Sequence, residues 1–172
     1  MKDCLEIKFN NLTNEERESF LKLIEKSQNN SKTYRKRWRG SKDNNIYYTI
    51  TSSGELTDVL EEDTPYDDKC YQFGNYFKNA EEAIFARNRQ LVYQQLKDYA
   101  LEHNTEEIDW TNNYLSKFCI TYDYQNINLF IDGMQTVKYP NTVYFTSEKI
   151  AKDAIREIGE NKIKYYLFGI GN

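Results

Sequence analysis

Apolar and polar residues alternate along Leu5-Glu6-Ile7-Lys8-Phe9, the period of a half-buried strand, and Asn10-Asn11 close it. Thr13 with Glu16 three residues on has the spacing of a capping box. Behind it Phe20, Leu21, Leu23 and Ile24 form the apolar stripe of a helix that fades by Ser27. From Tyr47 the period returns to two. Tyr47 to Ile50, a turn near Ser53-Gly54 and Leu56 to Val59 read as a hairpin, and so do Phe118 to Tyr122, a turn at Gln125-Asn126 and Ile127 to Ile131. Helices follow from about Ala80 to Glu102, with Phe85, Val92, Leu96 and Tyr99 on one face, and from Ser147 to a glycine stop at Gly159. The apolar ending from Ile163 to Ile170 predicts one or two further helical turns.

The second hairpin and helix echo the first. Tyr76-Phe77 recurs as Tyr144-Phe145, each followed two positions later by a residue able to cap a helix, Asn79 or Ser147. Alanines recur behind the caps at Ala83 and Ala86 and at Ala151 and Ala154, where a helix can approach a sheet closely. The pattern predicts an α+β protein: an N-terminal βα unit over 1–28, a linker over 29–45, and two copies of a ββ(β)α repeat over 46–104 and 105–172. The two copies are expected to superpose, with antiparallel sheets and each phenylalanine beneath its own helix.

Charge sharpens the linker. From Lys26 to Lys42 there are seven basic residues and no acidic one; the other 16 basic residues face 27 acidic ones, so the segment carries +7 and the rest of the chain −11. Opposite in sign, Glu55, Asp58, Glu61, Glu62, Asp63, Asp67 and Asp68 read as an acidic loop, without the regular oxygen spacing and central glycine of a calcium loop. It is read either as solvated or as an internal counter-surface for the basic segment. The fifteen tyrosines fit two causes, interface chemistry or an AT-rich coding bias that also enriches lysine, asparagine and isoleucine.

Chemistry is scarce. Cys4, Cys70 and Cys119 stand far apart and His103 is the one histidine, so no metal site and no disulfide framework is expected. Phosphate loops, dinucleotide fingerprints and nucleophile elbows are absent from the sequence. A Cys119–His103 nucleophile pair is weighed against a buried strand cysteine, and the buried cysteine is preferred. The expectation is a binding protein that is not an enzyme and needs no cofactor. With no apolar run approaching the roughly 20 residues of a membrane span and no signal-peptide pattern at the N-terminus, it is expected inside a cell and not in a membrane.

The candidate contact residues are Lys32, Tyr34, Arg35, Lys36, Arg37, Trp38 and Arg39. Three readings of this stretch stand: a solvated linker with Trp38 tucked against a domain, a phosphate and base grip, or a docking surface for an acidic protein. If the arginines are exposed, replacing Arg35, Arg37 and Arg39 by alanine should leave stability nearly unchanged.

The order of NLTNEER, YYTITSSGEL, FGNYFKNAEEA, IDW and VYFTSEKIAKDAIREIGENKIKYYLFGI resembles a widespread group of small proteins encoded in phages and prophages of Gram-positive bacteria, over about Phe9 to Ile170. The resemblance brings no catalytic residues with it. It implies a viral accessory protein in the cytoplasm of the bacterial host, where such proteins antagonise defence systems, CRISPR–Cas among them. The expected function is inhibition of a host defence protein of the anti-CRISPR type, by binding a CRISPR effector nuclease and its guide RNA. Nucleic-acid binding is the alternative, and sequestration of a nucleotide immune signal a second.

Overall fold

Residues 13–29, 37–40, 45–133 and 136–171 are described by a computed structural model. The expected strand from Leu5 to Phe9 and the stretch from Lys32 to Lys36 lie outside the described residues. The chain divides into two compact units, Met1–Trp38 and Arg39–Asn172.

In the first unit the Thr13–Glu16 spacing does what it predicts. The Glu16 N–H donates to Thr13 Oγ1 (3.3 Å) and the Thr13 N–H donates back to Glu16 Oε2 (2.8 Å), starting helix α1 (Asn14–Asn29). These donors hold the Glu16 carboxyl below its ordinary range. The helix runs two residues past the Ser27 at which the apolar pattern fades.

The second unit is α+β. Strands β1 (Ile46–Ile50) and β2 (Leu56–Leu60) form the first hairpin in the register Ile46↔Leu60 to Ile50↔Leu56. On the other side of β1, Tyr48 and Phe77 exchange two N–H···O bonds of 2.9 Å. The second sheet has the order β4-β3-β5, from β3 (Phe118–Asp123), β4 (Asn128–Asp132) and the two-residue β5 (Tyr144–Phe145). Its strands are antiparallel, with Ile120 opposite Ile131 and Phe118 opposite Phe145.

The acidic stretch is not one loop. After β2 it turns into helix α2 (Pro65–Phe73), where Thr64 and Asp67 form a reciprocal capping box, Pro65 supplies a preset φ, and Gly74 closes the helix at φ 80°. Asp67 and Asp68 therefore sit on the first helical turn, where the helix dipole favours negative charge.

Helix α3 (Ala80–His103) starts at Asn79, whose side chain accepts the Glu82 N–H at 2.9 Å; α4 (Glu148–Ile158) starts at Ser147 in the same way, with the Ile150 N–H at 3.2 Å. Gly159, at φ 103°, ends α4 and opens α5 (Glu160–Phe168). Helix α3 packs on β1 and β2 along one part of its length and on α4 and α5 along another. Its Val92, Leu96 and Ala100 meet Phe145, Ala151, Ala154, Ile158 and Ile163 in the main core. Ala151 and Ala154 are fully buried, so the lack of a longer side chain is what lets α4 lie close to its neighbours. The two Tyr-Phe pairs are buried differently. Phe145 is sealed in the core, whereas Phe77 is half-buried and Tyr76 takes the inner place, its ring stacked on Tyr47 at 3.8 Å. Among the described residues no helix is long and apolar enough to cross a membrane.

Candidate functional site

The basic segment is described from Arg37 to Gly40. Arg37 is exposed and Trp38 half-buried, while Lys32, Tyr34, Arg35 and Lys36 lie outside the described residues. Arg39 opens the second unit and is engaged there by acidic residues. Its guanidinium donates to Glu61 Oε1 (3.2 Å), to Glu61 Oε2 (3.4 Å) and to Asp68 Oδ1 (2.6 Å), with Asp63 Oδ1 at 3.6 Å. It also lies over the Tyr71 ring, 5.5 Å from its centroid. At this residue the internal counter-surface is what the fold builds. Hydrogen bonds from the guanidinium to Glu61 and Asp68 push the Arg39 pKa up, so it is cationic at every accessible pH.

Beneath Arg39 lies a buried polar layer. Glu61 and Asp67 are 2% and 1% exposed, depths that charged side chains reach only with partners. Tyr76 Oη donates to Glu61 Oε2 and accepts the Gly40 N–H at 3.1 Å; Tyr47 Oη donates to Asp67 Oδ1 at 2.6 Å. Burial and the bond to Glu61 push the Tyr76 hydroxyl up to about 12. Burial also pushes the Asp67 carboxyl upward, yet hydrogen bonds from Tyr47, Thr64 and Glu62 outweigh it and leave the group below its ordinary value. Every donor and acceptor in this layer is used inside the protein, and its chemistry is that of a clamp.

The Cys119–His103 pair is not assembled. Cys119 is 2% exposed on β3, and burial followed by the nearby Asp132 carboxylate pushes its thiol up to about 11, away from the thiolate a nucleophile needs. His103 is exposed at the end of α3, stacked on Tyr99 with ring centroids 4.0 Å apart and bonded through Nδ1 to the Tyr99 carbonyl.

A concave surface runs along α3 instead. Its first part, about 510 Å³, is lined by Phe85, Arg89 and Tyr93 of α3, Phe168 of α5 and Ile120 of β3. The second part, about 710 Å³, continues toward Leu101 and Trp110, and the two share Tyr93, Thr142 and Val143. The facing wall is the 136–143 loop, held by Tyr144: its hydroxyl accepts the Tyr139 N–H (2.8 Å) and donates to the Val137 carbonyl (3.4 Å). Asn104 fixes the base of that wall, donating to the Tyr144 carbonyl (3.1 Å) and accepting the Thr146 N–H (2.9 Å).

Charges of both signs line the second part of the groove, Lys97 and Lys138 beside Asp98, Glu106 and Glu107. Lys97 lies 5.8 Å over the Tyr93 ring and Lys138 5.6 Å over Trp110, whose indole Lys117 also approaches at 5.7 Å. Arg89 is exposed at the rim and has no ion-pair partner among the described residues. Of the candidate residues, Arg39 is the one in the second unit, and it does not line either part of the groove. In the sequence the groove residues are scattered over α3, β3, a loop and α5, and the one signal was the uninterrupted aromatic and basic pattern Phe85-x₃-Arg89-x₃-Tyr93-x₃-Lys97, four apart on one helix face. No known protein family, curated protein or solved structure matches the chain.

Proposed function

We propose that this protein is a binding protein without catalytic activity, that its partner is another protein, and that the groove along α3 is its contact surface. The resemblance to phage and prophage proteins extends the proposal: the partner is a component of a bacterial defence system, with a CRISPR effector nuclease and its guide RNA as the first candidate, met in the host cytoplasm. The observation that carries the reading is the groove itself, long, open and aromatic, between walls fixed by hydrogen bonds. Rigid aromatic surface beside arginine is the composition that dominates protein interface hot spots. Direct nucleic-acid binding draws less support, because Arg39 spends its charge on Glu61 and Asp68.

The test is co-elution of the purified protein with a purified effector complex in size exclusion, beside mobility shifts of single-stranded DNA, duplex DNA and RNA at low salt. The expected result is co-elution with the effector and no shift of free nucleic acid. A shifted nucleic acid whose affinity falls steeply with log salt, without co-elution, would transfer the function to nucleic-acid binding through counterion release.

A further inference from the structure

Lys117 is 2% exposed, the one lysine so deeply placed among the described residues, yet its ammonium forms no ion pair with a described carboxylate. It donates instead to the backbone carbonyls of Asn112 (2.7 Å) and Leu115 (2.8 Å), with the Trp110 ring 5.7 Å away. Short side chains fix the rest of the turn. Asp109 accepts the Thr111 N–H (2.8 Å) and hydroxyl (2.7 Å), and Asn112 accepts the Tyr114 N–H (2.9 Å). Taking an ammonium out of water is unfavourable, and in a core the burial of apolar neighbours offsets it. Here the segment held by the ammonium keeps its apolar side chains outside: Tyr114 is 99% exposed and Leu115 43%. What the buried charge secures is the shape of a surface loop.

The loop adjoins the groove, because Trp110 lines the groove's second part. Its surroundings are negative. From Thr105 to Ser116 the chain carries Glu106, Glu107 and Asp109 and no lysine or arginine, and these three exposed carboxylates border the same hollow as Leu115. Lys138 lies over Trp110 in the groove but does not line that hollow. Hydrogen bonds from Thr111 hold the Asp109 carboxyl below its ordinary range, so it is ionised at neutral pH. An aromatic side chain presented on a fixed loop gives up little freedom on binding, and carboxylates around it repel an acidic surface and attract a basic one. Resting on the reading that this chain binds a protein, we propose that the 109–117 loop is a further part of the contact surface: Tyr114 anchors in an apolar pocket on a basic face of the partner, and Lys117 positions it.

The test is biolayer interferometry of the full chain on the purified effector complex. Tyr114→Ala, at an exposed position, should leave the melting temperature unchanged and weaken binding by about tenfold or more. Glu106→Lys with Glu107→Lys should slow association by about threefold or more at low salt; faster association would mean an acidic partner and overturn the proposal. Lys117→Met keeps the stem, loses the ammonium and should weaken binding although Tyr114 is intact. In the Tyr114→Ala background the same change should weaken binding no further, since Lys117 acts through Tyr114. An equal loss in both backgrounds makes Lys117 merely structural and overturns the positioning role. Affinity unchanged by Tyr114→Ala but reduced by Arg89→Glu in the groove overturns this inference and leaves the protein-binding reading standing. Absence of any effector binding by the unaltered chain overturns the two together.

Discussion

Arg39 shows how one residue can be read correctly as charged and wrongly as free. In the sequence it is one of several identical cations in a row, and nothing local separates it from Arg37. In the structure, Glu61, Asp63 and Asp68 converge on it from more than twenty residues away. Exposed substitutions cost under about 0.5 kcal/mol. Arg39→Ala should instead cost about 2–3 kcal/mol in urea denaturation, since it strands the buried Glu61 carboxylate. Asp67 gives the same layer a pH dependence. Its folded value is depressed, so the stability it contributes is fully present above the ordinary carboxylate range and is lost as pH falls through the folded value. Tyr47→Phe removes one of the donors responsible. The variant should be less stable by about 1.5 kcal/mol at neutral pH, and urea melts at descending pH should show its deficit shrinking below about pH 4.

At the scale of elements, the legible parts were those whose signal is local. Alternation located both hairpins, and the Asn79 and Ser147 caps located the starts of α3 and α4. Helix α2 was hidden because its first turn is acidic and reads as a solvated run; Thr64-Pro65 followed by Asp67 and then Gly74 was the available signal, with aspartate standing where a capping box more often has glutamate. The second hairpin turn carries a strain that alternation cannot show. Ile127 was read as the start of a strand, yet it lies at φ 56° in the turn before β4 and is 70% exposed. A β-branched residue is unfavourable there, and nothing is gained by burying it. Ile127→Gly should therefore raise stability by about 1 kcal/mol, read as a higher melting temperature in calorimetry, despite the entropy glycine adds to the unfolded chain.

For the molecule as a whole, the groove was out of reach of the sequence because its lining comes from segments as far apart as Phe85 and Phe168, whereas a basic run is visible at a glance. Helix α3 is the wall that also joins the two sheets' surroundings, packing on β1 and β2 and on α4 and α5. Leu96→Ala, in the core beside Phe145, should cost about 3 kcal/mol. Native-state hydrogen exchange should show the loss in the amides of β1 as well as β3, because α3 packs against both parts of one compact unit. Exchange confined to β3 and its neighbours would mean that the two sheets open separately. A helix with two sets of neighbours is also a helix with two sets of judges. As the gene drifts, either hairpin can change its turn or its exposed face on its own account. Ala83, Val92, Leu96 and Ala100 have no such latitude, and a change tolerated at one end of α3 must still suit what is packed at the other, so the two halves of this unit are bound to evolve in step.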